Sequence, residues 1–160
     1  MKSENRVVTV GKYTVAVLLV SFIVILMVTI SGTSKSFEEV SAPLIRALEG
    51  QELVEVNGQG FRNIYGIDPA DLEGVVMFTN PFPMSAEEVL LVQVGHADQI
   101  NDVVQVIEEH LATRRQSFGG VAPEEVHLID NAQLTVRGDH IFLAVSPRAT
   151  ELRRIFLDSL

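Results

Sequence analysis

The sequence has 160 residues, no cysteine, 21 acids against 12 lysines and arginines, and a net charge of -9. Without cysteine, disulfides, Cys-ligated zinc, iron–sulfur centres and thiol catalysis are excluded. The acidity disfavours phosphate backbones and anionic headgroups, so no nucleic-acid partner is expected.

The first twelve residues run against that balance. Lys2, Arg6 and Lys12 stand against one acid, Glu4, which leaves the rest of the chain at -11. Tyr13 to Ile30 then carries no charge, Gly or Pro. As a helix it would span roughly 27 Å, near the thickness of a bilayer's hydrocarbon core. The basic flank places the amino terminus in the cytoplasm and the remainder outside. The expected division is a cytoplasmic tail at 1–12, a single-pass membrane anchor at 13–30, a spacer at 31–36 and an extracytoplasmic domain at 37–160. A cleaved signal peptide is the rival reading. The apolar run is longer than the usual h-region, and the small residues Ser31, Gly32, Thr33 and Ser34 contain no Ala-x-Ala. A buried core helix is the third, although no face of the run is polar.

Phe37 to Leu48 reads as an amphipathic helix, with Ser36 and Glu39 as a capping box and Gly50 just past its end. Pro43 suits the first turn of a helix starting near Ser41 better than the middle of a longer one. Phe61 to Tyr65 reads as one helical turn closed by Gly66, and Asp68-Pro69 as the start of a short helix. Val75–Thr79 and Val89–Val94 read as strands joined by the loop Asn80-Pro81-Phe82-Pro83. The longest helix follows Gly95. Ile100, Val103, Val104, Ile107 and Leu111 form its apolar stripe, and Gly119-Gly120 ends it. Ala122–Glu125 reads as a turn and Val126–Ile129 as a short extended piece. Ala132–Val136 and Ile141–Val145 are strands flanking a hairpin turn at Arg137–His140, and Ser146-Pro147 opens the last helix. From Gly74 the order is β-β-α-β-β-α. Its short links favour antiparallel pairing, so an α+β domain is expected, a four-stranded mostly antiparallel sheet with helices on one face. The amino-terminal helix packs on this sheet or bridges it to the membrane.

Neither metal nor cofactor is expected. None of the four histidines, His96, His110, His127 and His140, shares an element with a second ligand at metal spacing, which reads them as surface or loop residues. The acid pairs Glu38-Glu39, Glu87-Glu88, Glu108-Glu109 and Glu124-Glu125 suit first turns and wet faces better than a two-carboxylate active site. There is no Gly-x-Ser-x-Gly, Walker or Gly-x-Gly-x-x-Gly pattern in a catalytic context. The loop Phe78–Met84 has two readings: a segment tucked over the edge of the core, or an exposed apolar patch for a partner.

Tyr65-Gly66-Ile67-Asp68, the Val75–Thr79 strand, Glu87-Glu88-Val89 and the Ala122-Pro123-Glu124-Glu125 turn together resemble an uncharacterised family in Gram-positive bacteria. It is a domain of unknown function found in membrane-anchored or lipoprotein-type exported proteins. The similarity runs over about Phe37 to Phe156, and the Tyr-Gly-Ile-Asp stretch is its most specific part. The resemblance implies an exported domain and supplies no catalytic residue. The lipoprotein cysteine of some members is missing, so the apolar segment is the only tether. The leading expectation is a non-enzymatic, membrane-anchored module that binds a protein or envelope partner, with Phe82, Met84 and Tyr65 as candidate interaction residues. The alternatives are a cell-envelope hydrolase using acids or a histidine, and a ligand-sensing subunit of a membrane complex.

Overall fold

The structure is a computed structural model and describes residues 35–160. The tail at 1–12, the anchor at 13–30 and spacer residues 31–34 lie outside the described residues. No helix among the described residues is long and apolar enough to cross a membrane.

Helix α1 (Phe37–Leu48) begins on the expected capping box: Ser36 Oγ accepts from the Glu39 amide at 3.3 Å, and the Glu39 carboxylate accepts from the Ser36 amide at 2.9 Å. Pro43 falls inside it, not in the first turn of a later helix. Proline there leaves one carbonyl of the preceding turn without its donor. Burial of Val40, Leu44 and Leu48 on one face holds the element together across that gap. A two-residue strand, β1 (Val54–Glu55), leads to α2 (Gly58–Tyr65). Asn57 caps α2 by accepting from the Gly60 amide at 2.8 Å, and Gly66 closes it at φ +72°, where L side chains are disfavoured. Asp68-Pro69 starts a single 3₁₀ turn, Pro69–Asp71, tied back to α2 by an Arg62–Asp68 ion pair at 2.7 Å.

The remaining elements are β2 (Gly74–Thr79), β3 (Glu88–Gln93), α3 (Gln99–Phe118), α4 (Pro123–Asp130), β4 (Gln133–Arg137), β5 (His140–Val145) and α5 (Ala149–Ser159). The class is α+β, as expected, but the sheet has five strands rather than four. Their order is β1-β2-β3-β5-β4, and every pairing is antiparallel. The extra strand is β1, which pairs through Val54 with Thr79 and Glu55 with Phe78. Val126–Ile129, expected to be extended, lies in α4, whose first residue is Pro123, inside the expected turn. Pro123 supplies a preset φ at a position where no amide donor is needed.

The helices also cover both faces of the sheet, not one. Every residue of β3 and β5 is buried. Val89 and Leu91 lie beside Ala144 and Phe142 under α1 and α5, against Val40, Leu44, Leu152 and Phe156. Leu90 and Val92 lie beside Leu143 and Ile141 on the opposite face, under α2, α3 and α4, against Phe61, Val103, Ile107 and Ile129. A strand covered on both sides has no use for polar alternation, which explains two near-continuous apolar runs in an antiparallel sheet.

Two ends of this sandwich matter for function. At one end the chain enters. Lys35 Nζ donates to the Ser159 carbonyl at 2.7 Å, and Phe37 packs on Gly74, where a Cβ would fall into the ring. At the other end, six strand residues or roughly 20 Å away, lie the β2–β3 loop and the starts of β3 and α5. Arg148 Nη1 fastens α1 there by donating to the Ala47 carbonyl at 3.2 Å.

Candidate functional site: an exposed loop braced by buried polar groups

Alternation along β3 separates the Glu87-Glu88 pair. Glu88 shares its side of the strand with Leu90 and Val92 and turns into the α2–α3 layer, where only 1% of it is exposed. Its carboxylate accepts from the Tyr65 hydroxyl at 2.5 Å and from His110 Nε2 at 3.1 Å. The Tyr65 and His110 rings lie 4.7 Å apart. Burial first, and then the Glu88 charge and hydrogen bond, push the Tyr65 phenol well above its usual range, against the opposing charge of Arg114. The phenol therefore remains a donor throughout the physiological range. Glu88 and two of the histidines thus depart from the expected wet faces. His110 has 13% of its side chain exposed, and His140 is 2% exposed.

Glu87 faces the other way and accepts from Ser146 Oγ at 2.9 Å. The neighbouring backbone is tied down as well. Arg114 Nη2 donates to the Ser85 carbonyl at 2.6 Å, and Glu125 accepts from the Ala86 amide at 2.6 Å. Asn80 Oδ1 accepts from the Phe82 amide at 3.1 Å, the Ser85 amide donates to the Phe82 carbonyl at 3.0 Å, and the Asn80 amide donates to the Glu87 carbonyl at 3.0 Å. The loop from Asn80 to Glu87 is consequently fixed by side chains from α3, α4 and the β5–α5 connection, by Asn80 within the loop, and by Pro81 and Pro83.

On this rigid base Phe82 is 62% exposed and Met84 60% exposed. The loop is not tucked over the core edge. Tyr65 is placed differently from the other two candidates: at 5% exposure it lies inside, beneath the loop's supports. Sequence reasoning missed Glu88, His110 and Arg114 as those supports. The available signal was Glu88 itself, an acid opening an otherwise apolar strand.

A second polar group sits at the opposite end of the sheet. Asp139 accepts from Gln93 Nε2 at 2.8 Å, and its Oδ1 lies 2.7 Å from His140 Nδ1. Among the described residues, His140 Nε2 and Arg114 Nε are buried without a hydrogen-bond partner. Burial works against ionisation of Asp139, but the Gln93 amide and the His140 charge outweigh it and hold the carboxyl below its ordinary range. A lowered folded-state pKa stabilises the fold above the unfolded value of about 3.9 and ceases to do so as pH falls through the folded value. Asp139→Asn is therefore expected to be less stable at pH 7, by under about 1 kcal/mol because the carboxylate is partly solvated. The difference from the parent should shrink below pH 3, as read by urea unfolding at both pH values.

Chemically, Glu88 and His110 satisfy each other and Tyr65. Depressions on the described surface run along α5 from Pro147 to Asp158 and between α4 and Pro147. Among the described residues no group of three or more His, Asp or Glu is placed to hold a metal ion. The whole is a small α+β domain, an antiparallel sheet with helices on both faces, Glu88 and His140 turned inward and Phe82 and Met84 turned outward. The chain belongs to the family of domains of unknown function DUF4358, which matches residues 46–146. That match runs through all five strands and α2–α4, and leaves out α5 and most of α1. No curated protein and no solved structure matches the chain.

Proposed function

We propose that the protein is a membrane-anchored, extracytoplasmic, non-enzymatic module that binds a protein or cell-envelope partner through the loop carrying Phe82 and Met84. The apolar segment 13–30 with its basic flank supports the tether, a single-pass anchor with the amino terminus in the cytoplasm. The observation that carries the binding role is the exposure of two large apolar side chains on a loop whose backbone is hydrogen-bonded at Phe82, Ser85 and Ala86. Such a loop loses little conformational freedom on docking, so burial of its apolar surface contributes to affinity almost undiminished. The loop lies at the end of the sheet remote from Lys35.

Phe82→Ser tests this reading. Because the ring contacts water, thermal stability is expected to stay within about 0.5 kcal/mol of the parent. Cross-linking in the native membrane followed by purification should lose the partner. A strongly destabilised Phe82→Ser variant would instead make the loop a core element. A reporter fused after Leu160 that is active only inside the cell would overturn the topology.

A further inference from the structure

We infer that the partner of the Phe82–Met84 loop is a protein presenting an apolar pocket rimmed by lysine or arginine. This rests on the loop being the binding element, as proposed above, and adds the chemistry of what it binds.

The inference starts from the charges around the loop. On one side the β1–β2 register places Glu55 beside Phe78, at the foot of the loop, with Glu52 just before it in the chain; both are exposed. On the other side Glu125 is bound to the Ala86 amide, and the exposed Glu124 adjoins it. Among the described residues, none of Glu52, Glu55 and Glu124 takes part in an ion pair. Of the bases close to the loop, Arg148 is neutralised in an ion pair, whereas Arg114 is in none and keeps its charge. Arg114 holds the Ser85 carbonyl, and Arg148 is bound by both oxygens of Glu151 and by the Ala47 carbonyl. Arg46 on α1 is exposed toward this end, with Glu49 three residues on. The only lysine among the described residues, Lys35, lies at the opposite end. Phe82 and Met84 therefore project from a rim whose unpaired charge is predominantly negative.

That arrangement discriminates among occupants. An anionic bilayer surface would meet the unpaired acids and be repelled. A second copy docking tip to tip about a two-fold axis would set each acidic rim against its equivalent, and like charges across an interface oppose association. A protein whose pocket takes Phe82 and Met84 and whose rim is basic gains apolar burial at the centre and complementary charge at the edge.

The test uses the full-length protein in its native membrane with a photo-reactive amino acid in place of Met84. The expected result is one adduct with a different protein, with lysine or arginine flanking the cross-linked peptide. Its yield should fall at least about tenfold in a Glu55→Lys/Glu124→Lys variant and decline with added salt. Both sites are exposed, and matching circular dichroism spectra establish that the variant is folded. An adduct indifferent to charge reversal and to salt overturns the basic-partner inference while leaving the loop as a binding element. An adduct with lipid or with a second copy also overturns it. Failure of the folded protein to form any adduct that Phe82→Ser abolishes overturns the binding role itself.

Discussion

Glu88→Ala is expected to lower the unfolding free energy by about 3–5 kcal/mol, a large share of the stability of a single domain. The carboxylate is almost wholly buried and serves two donors, the Tyr65 hydroxyl at 2.5 Å and His110 Nε2 at 3.1 Å. Truncation leaves both without their acceptor in a region largely closed to water. It also opens a cavity beneath the loop. Tyr65→Phe should cost less, about 1–3 kcal/mol, because His110 still serves the carboxylate. If the cost arises from unmet polar groups rather than lost volume, Glu88→Met combined with Tyr65→Phe recovers part of it, since apolar replacement of both partners removes the unsatisfied atoms. Guanidinium unfolding of the three variants decides the matter. A Glu88→Ala protein within about 0.5 kcal/mol of the parent would show that the buried cluster does not hold α2 and α3 to the sheet.

The second large effect belongs to the opposite face. Phe142 on β5 and Phe156 on α5 are both fully buried and stack at 5.0 Å between ring centres, 10° from parallel. Phe142→Ala or Phe156→Ala is expected to cost about 3–5 kcal/mol through lost burial and the cavity left behind. The double variant should cost less than the two single effects combined by about 0.5–1.5 kcal/mol, the interaction particular to the ring pair. Strict additivity in thermal unfolding would mean that the rings act independently. Loss of the α1–α5 layer should leave the α3 side of the domain longer protected, so amide exchange in α1 and α5 is expected to rise first in either variant.

Elements with local signals were legible in the chain. Ser36 and Glu39 reach each other within one turn, and Asp68-Pro69 and Gly66 act within two residues. The stripe from Ile100 to Leu111 repeats often enough to be read without knowing its neighbours. What escaped depends on distant partners. β1 is two residues long and exists only because Val54 and Glu55 meet the end of β2. Val126-His127-Leu128-Ile129 has the composition of a short strand, and α4 begins with no side-chain cap to announce it. Coverage of both sheet faces was encoded in the unbroken apolar runs of β3 and β5, a pattern that calls for two layers of helix. Of the site, the Pro-Phe-Pro-Met loop stood out by composition, and its exposure was one of two readings. Its supports did not, because Glu88 lies 23 residues from Tyr65 and 22 from His110 in the chain.

The two helices over Phe142 come from opposite ends of the domain, and this sets the order in which a ribosome can complete it. By the time β5 has been made, α2, α3 and α4 are all available to shield one side of the sheet. The other side, with Leu91, Phe142 and Ala144, has only α1 and waits for α5, the last described element to be synthesised. A nascent chain at that stage carries an uncovered greasy sheet, the condition under which partly made domains stick to one another. A chain halted just after Ser146 should consequently bind holding chaperones, and extension through Phe156 should release them.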